Sequence, residues 1–353
     1  MARKADSQVS IANVAAMAGV STATVSRVLS GHRRKDDEIS RRVHAAAEKL
    51  NYSANFAASA LRSEQTRTIG LIMAGANDGL TGAILDLVSH CLTERGRYLM
   101  VISESDNRTW EAAIRSLTAR QVEGILVIPS MDADPTDIPP DLGLQIPIVQ
   151  IGGHPFSYHA CWVGMDLAAS MRMVITHLAE QNAQSVAFLS RDLSTSGATD
   201  LFTTFYSLTS TLDMAPEPEW VQFGPCSMQR GHDAAKDILT TGRTHPDAIV
   251  CGDDQLALGA LMACQELGID VPDQVKVVSF TDSPTCQVCK PTLTTVRPPL
   301  EGIVQEALRL IETNNQTLLP AHIALAPELD CRESTWSPRT GSSDMTEPGT
   351  FPY

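Results

Sequence analysis

The sequence predicts an α/β protein with a small all-helical head and a two-lobed body of doubly wound parallel sheets. Three observations carry this expectation. Residues 9–50 show helical periodicity and cap signals but no β-rich run. From Thr68 to about Leu329, short apolar runs alternate with amphipathic helical stretches. These βα units fall into two successive series, which implies two sheets with a cleft between them. A length of 353 residues fits two or three domains of about 100 to 200 residues each.

The head is predicted as three helices. Ser10 is a cap candidate for the first, Ile11 to Ala18. Gly19 supplies the sharp corner that follows, because a residue without a Cβ takes positive φ at little cost. Ser21 then caps the second helix, which runs to Leu29. On that helix Val25, Val28 and Leu29 share one face and dock on Val14, Ala15 and Ala18, while Thr22, Ala23, Ser26 and Arg27 point outward. After a polar, basic loop, Asp36-Asp37-Glu38 opens the third helix at the positive end of its dipole. Ile39, Val43, Ala46, Ala47 and Leu50 form the core stripe of that helix.

A short outward face of small polar residues ending in arginine suits the major groove of duplex DNA. Arg27 can donate two hydrogen bonds to guanine O6 and N7, and Ala23 and the Thr22 methyl can touch a thymine methyl. These three are the candidate base readers. Ser21, Thr24, Ser26, Asn51 and Tyr52 are the candidate phosphate contacts that set register. The whole chain carries a net charge of −14, yet residues 1–67 hold eleven Lys and Arg against six Asp and Glu. The head is therefore basic at +5 and the remainder acidic at −19, which places phosphate attraction at the N-terminus.

The residues Val14-Ala15, Ala18-Gly19-Val20-Ser21, Thr24-Val25-Ser26-Arg27-Val28-Leu29, Leu50-Asn51-Tyr52, Asn55, Ala58 and Leu61 resemble the head and hinge of the lactose-repressor (LacI/GalR) family. The chain departs from the family pattern at Asn13 and Ala54, where the family usually has aspartate and proline. Asp36 and Ser40 also replace its usual serine and arginine. The resemblance implies a hinge helix in which Asn55, Ala58 and Leu61 enter the minor groove, with the two leucines of a dimer wedged at the centre of the site. A helix this short does not hold alone in water, so it is expected to order on binding. The implied operator is a palindrome with a pyrimidine-purine step at its centre, C-G in the simplest reading.

In the body, Thr68 to Met73, Tyr98 to Ile102, Gly124 to Ile128 and Ile146 to Ile151 read as strands buried on both faces. So do Ser185 to Leu189, Ala248 to Cys251 and Val275 to Phe280 in the second series. Gln121 to Ile125, Val163 to Asp166, Asp254 to Leu261 and Pro291 to Arg297 are similar to the family's effector-binding core. That implies a periplasmic-binding-protein-like domain whose chain crosses between lobes near Gly164, Thr294 and Ala321. The expected boundaries are a head over 1–53, hinge and linker over 54–67, an effector and dimerisation domain over 68–333, and a disordered tail over 334–353. Within that domain the first lobe takes about 68–163 and 295–320, and the second about 164–294 and 321–333. The tail lacks a leucine heptad, so a homodimer is the expected assembly.

The positions matching the family's ligand-binding arginine, aromatic stacker, asparagine and aspartate hold Thr199, Cys226, Asp253 and Thr281. Asn77 and Ser130 complete the candidate effector cleft. Sugar hydroxyls need charged or amide partners and an aromatic face, most of which this set lacks. Either the effector is not a typical sugar, or there is none. No cofactor and no metal are expected. Cys286-Gln287-Val288-Cys289 has redox spacing without a second pair to complete a zinc site, and His154, His159 and Cys161 cross a turn between strands. There is no nucleophile elbow, phosphate loop or dinucleotide glycine pattern, so an enzyme is not expected.

The N-terminal residues carry no apolar secretory stretch, and no apolar run approaches the roughly 20 residues of a membrane span. Eight cysteines without such a signal read as reduced thiols. The expectation is a cytoplasmic, nucleoid-associated, dimeric repressor of transcription with duplex DNA as partner and no membrane. The alternatives are a solute-binding protein without DNA, or an architectural or effector-independent DNA-binding protein.

Overall fold

The computed structural model describes residues 10–29, 37–50, 52, 66–74, 79–103, 110–129, 146–155, 160–193, 196–214, 216–241, 244–313 and 320–336. The chain divides into two compact units, Met1–Thr66 and Arg67–Tyr353.

The first unit holds α1 (Ile11–Ala18), α2 (Thr22–Leu29) and α3 (Glu38–Lys49). Asn13 Oδ1 accepts from both the backbone N–H (2.9 Å) and the hydroxyl (2.6 Å) of Ser10, so the amide here secures the start of α1. Asp37 caps α3 by accepting from Ser40 N–H at 3.0 Å. Val14, Ala15, Ala18, Val25, Val28, Val43, Ala46 and Ala47 form one buried cluster, against which Ile39 and Leu50 pack from its rim. That is the stripe expected from periodicity.

The second unit contains two six-stranded sheets. In chain order the first lobe supplies β1 (Thr68–Met73), α4 (Gly79–Glu94), β2 (Tyr98–Ser103), α5 (Trp110–Ala119), β3 (Gly124–Ile128), β4 (Ile148–Ile151) and β5 (Cys161–Met165). The second supplies α6 (Leu167–Glu180), β6 (Val186–Ser190), α7 (Ser196–Thr211), β7 (Val221–Phe223), α8 (Met228–Thr240), β8 (Ala248–Cys251), α9 (Asp254–Leu267), β9 (Lys276–Phe280) and β10 (Thr294–Arg297). The chain then adds α10 (Leu300–Thr313) and β11 (His322–Leu325) to the first lobe and β12 (Glu328–Asp330) to the second.

The first sheet runs β11-β5-β4-β3-β1-β2, with every pairing parallel. The second runs β12-β10-β9-β8-β6-β7, parallel except for β12. Apolar cores lie on both faces of each sheet. In the first lobe they are formed with α4 and α10 on one side and α5 on the other. In the second they are formed with α8 and α9 on one side and α6 and α7 on the other. Helices on both faces explain why the inner strands read as continuous apolar runs, whereas β2, expected to be buried on both faces, lies at the sheet edge with Tyr98 and Val101 exposed.

Two expected boundaries shift. Thr294 to Arg297 belong to the second sheet, where Thr294 pairs with Val278, so the second crossing falls later, at Pro298-Pro299. Proline has no N–H for the ladder, and two in succession release the chain from the sheet. Likewise 322–325 pair with 162–165 in the first sheet, and the third crossing comes at Ala326-Pro327.

The tail also begins later than expected. Ser334 is buried; its hydroxyl donates to Val277 O at 2.6 Å and accepts from Thr294 N–H at 2.8 Å. Buried Thr335 meets the Thr294 hydroxyl at 2.7 Å and His177 Nε2 at 2.8 Å. A Ser-Thr pair that reads as a polar tail instead closes an edge of the second lobe through its hydroxyls. The rest of the expected tail, 337–353, lies outside the described residues.

Helices α8 and α9 touch through glycine. A Cβ on Gly259 would fall on the Met228 carbonyl and 2.5 Å from His232 N, and one on Gly231 would lie 2.7 Å from Leu256 Cα. The contact is backbone to backbone.

Candidate nucleic-acid interface and effector cleft

The turn between α1 and α2 is built from local signals. Gly19 has φ 65° and ends α1 in the left-handed conformation, and Val20 N–H reaches back to Ala15 O at 3.1 Å. Ser21 Oγ accepts from Thr24 N–H at 3.2 Å and lies 2.9 Å from the Thr24 hydroxyl. The two candidate phosphate contacts thus also cap α2. From α3, Arg42 donates to the Ala18 carbonyl at the C-terminus of α1, where the helix dipole favours a cation. Sequence reasoning did not single out Arg42, because its partner lies 24 residues away.

With Val25 and Val28 buried, Ser21, Thr22, Ala23 and Arg27 are exposed, and Thr24 and Ser26 are half-buried. At 100° per residue, Thr22, Ser26, Ala23 and Arg27 span an arc of about 140° on α2. The surface is polar, slim and free of carboxylates. Tyr52 is half-buried, packs against the head core and donates its N–H to Ala47 O at 2.8 Å, closing α3. Asn51, Asn55, Ala58 and Leu61 lie outside the described residues.

In the second unit, both sheets change winding direction after their second strand. The switch points lie between β1 and β3 and between β6 and β8, and ligands of doubly wound sheets bind beyond the carboxyl ends of the strands at such points. Thr199, Cys226, Asp253 and Thr281 follow the carboxyl ends of β6, β7, β8 and β9, so all four lie along the same edge. Asn77 and Ser130, which follow β1 and β3, are outside the described residues.

Two of these side chains, Thr199 and Asp253, have partners within the lobe. Thr199 donates to Leu193 O at 3.0 Å. Asp253 caps α9 by accepting from Gln255 N–H at 2.9 Å and takes an ion pair from Arg191 Nη2 at 3.3 Å. Burial pushes its carboxyl above the usual range, opposed in part by that cap and by Arg191. Thr281 has φ 106°, a strained value for a β-branched residue, and donates its N–H to Val296 O at 3.0 Å. Cys226 is half-buried and in no disulfide.

Two further residues at this edge escaped sequence reasoning. Arg191 follows β6 directly, and Arg230 on α8 donates from Nη1 to Ser190 O at 3.1 Å. A third feature spans the lobes: His154, after β4, meets Asp200 of α7 at 3.2 Å. His154 is therefore engaged with a carboxylate, while Cys161 is buried in β5 and accepts from Ala321 N–H at 3.5 Å. His159 lies outside the described residues.

The cysteine pair is structural in its bonding. Cys286 is buried, its thiol pushed up to about 12 by desolvation, and Cys289 donates to Pro291 O at 3.2 Å. Thiolate is the reactive form, so burial suppresses both alkylation and disulfide formation. Iodoacetamide at pH 8 is expected to modify exposed Cys331 first and to reach Cys286 only after unfolding, read by mass spectrometry. Rapid Cys286–Cys289 disulfide formation in mild oxidant would contradict this.

Among the described residues no helix is long and apolar enough to cross a membrane. Residues 10–55 match the family described as bacterial regulatory proteins, lacI family, and residues 175–335 match the periplasmic binding protein-like domain. The chain is 29% identical over 338 residues to the transcriptional regulator GalR of Escherichia coli K12, covering 94% of this chain and 97% of that one. It is 30% identical over 338 residues to the regulator MalR of Streptomyces coelicolor, covering 93% and 96%. Its fold matches the lac repressor dimer bound to operator and the anti-inducer ONPF, with a TM-score of 0.80 at 22% identity over 93% of this chain and 99% of that one. The helical head, the two-lobed body and these full-length matches together identify the chain as a member of the lacI family of DNA-binding transcriptional regulators.

Proposed function

We propose that the protein is a cytoplasmic repressor that binds a palindromic operator as a homodimer and is controlled by a small molecule in the cleft between its lobes. The observation that carries this reading is the exposed, carboxylate-free face of α2, with Thr22, Ala23 and Arg27 for base edges and Ser21, Thr24 and Ser26 for phosphates. Repression follows from occupancy of a promoter. Effector binding shifts the equilibrium between lobe arrangements, and the change in separation of the two hinges lowers or raises operator affinity. Asn77, Ser130, Thr199, Cys226, Asp253 and Thr281 are the cleft residues of this reading, and Asn51 and Tyr52 add to the phosphate contacts.

The hinge supplies a separate test. With Asn55 and Ala58 against the minor groove, Leu61 wedges into the central step, and unstacking costs a few kcal/mol that the bent duplex offsets through added contact. Leu61→Ala is expected to reduce the DNA bend measured by fluorescence energy transfer across the site; an unchanged angle would remove the wedge. Competition against random duplex separates a repressor from an architectural protein, since a repressor prefers its site by roughly 10³ or more at physiological salt.

A further inference from the structure

Arg230 is an unusual residue to find at the edge of this cleft. Its Nη2 is buried and has no hydrogen-bond partner among the described residues. A buried guanidinium nitrogen left without an acceptor carries a desolvation cost that native proteins rarely leave uncompensated. The side chain is nonetheless held in place. Nη1 donates to Ser190 O at 3.1 Å, at the end of β6. Its stem passes over Gly224, where a Cβ would come within 2.7 Å of Nε, so glycine after β7 leaves room for it.

The charged groups at this edge include two guanidiniums and two carboxylates. Arg191 and Arg230 bring two guanidinium groups to the carboxyl ends of β6 and β7, and Asp253 pairs with Arg191 at 3.3 Å. Of the groups that act on Arg230 through space, Cys226 and Cys251 are thiols, and Asp192 is an exposed carboxylate. Burial raises the Cys251 thiol well above its usual value, so it stays neutral and offers no compensating charge. A guanidinium with an unfilled donor therefore sits beside the switch point of the second sheet.

We propose that this edge is the seat of an anionic group, a carboxylate or phosphate carried by the effector, with Arg230 as its principal partner and Arg191 as the second. The ligand class is an acidic sugar, a hydroxy acid or a sugar phosphate. Planar forks of guanidinium donors match such oxygens, and these charge-assisted bonds are about twice as strong as neutral ones. Asp253 then accepts from a ligand hydroxyl while still capping α9. The proposal rests on the reading of the cleft as an effector site and narrows it. It also explains why the aromatic and amide partners for a neutral sugar are missing at Cys226 and Asp253.

The test uses the full chain at constant ionic strength and follows thermal unfolding with galacturonate, gluconate, glucose 6-phosphate, inorganic phosphate, galactose and maltose. At least one acid is expected to raise the midpoint by about 3 °C or more near saturation, with galactose and maltose inactive. Comparison of the carboxylates with the phosphates identifies the group. Arg230→Met is expected to weaken acid binding at least tenfold while leaving the ligand-free midpoint unchanged or higher. The orphaned donor is then gone, and Ser190 O keeps the Gly224 N–H at 3.1 Å. Should Arg230→Met not fold, Arg230→Lys keeps the charge without the fork and is expected to lose tenfold as well. Acid binding that survives both substitutions overturns the proposal. A neutral sugar that binds equally well to both forms overturns it while the cleft stands as an effector site. If none of the six compounds shifts the midpoint, the proposal and the effector reading fall together.

Discussion

Replacing Arg27 with alanine is expected to lower affinity for the preferred half-site by about 1–3 kcal/mol and to flatten base preference at one position in each half-site. Arg27 is exposed near the end of α2, the helix whose other face holds Val25 and Val28 in the head core. The substitution removes a donor fork without touching that core. The signature is positional. A base reader loses discrimination at its own base pair, whereas a phosphate clamp loses affinity across all sequences and reduces the salt slope by about one. Binding measured across a library of single-base variants distinguishes the two, and a uniform loss would move Arg27 to the phosphate set.

Gly259→Ala is expected to destabilise the second lobe by about 3 kcal/mol. The added Cβ meets the Met228 carbonyl, His232 N and Gly231 C, all backbone of α8, which cannot yield without separating two helices. Gly82→Ala on α4 is the control. It meets nothing within 4 Å, and alanine in a helix is expected to stabilise by about 0.4–1 kcal/mol. Denaturant unfolding of both variants measures the difference; equal effects would mean that the α8–α9 contact is looser than the backbone geometry implies.

Legibility in the sequence followed the range of the interactions. The α1–α2 turn was readable because Gly19, Ser21 and the apolar stripe act within a few residues, and the strands β1, β3 and β8 were readable because burial on both faces leaves continuous apolar runs. Strands β7, β11 and β12 were not, being three or four residues long and half-exposed. Their place is set by neighbours in the sheet rather than by their own composition. The crossings were misplaced for a related reason: the step from β10 to α10 depends on where the ladder with β9 ends, which Pro298 and Pro299 decide.

The cleft was less legible than the head. Arg191 and Asp253 are 62 residues apart and Arg230 and Ser190 are 40 apart, and each pair meets only because β6 lies between β7 and β8. Positions matched to a family pattern gave Asp253, whereas Arg191 and Arg230 lie outside the positions so matched. Asn13 shows the opposite case. It departs from the family's aspartate, yet its amide oxygen bonds Ser10 twice, so the capping function of the position is kept by a different side chain.

The central claim is that the exposed face of α2 reads sequence in two symmetric copies. The most direct measurement is selection of bound duplexes from a random pool by the full chain at physiological salt, followed by competition with unselected DNA. A palindrome bound roughly 10³ or more tighter than random duplex is expected, with its symmetry centre on a pyrimidine-purine step. Recovery of duplexes without a shared palindrome, bound no more tightly than the starting pool, would contradict it.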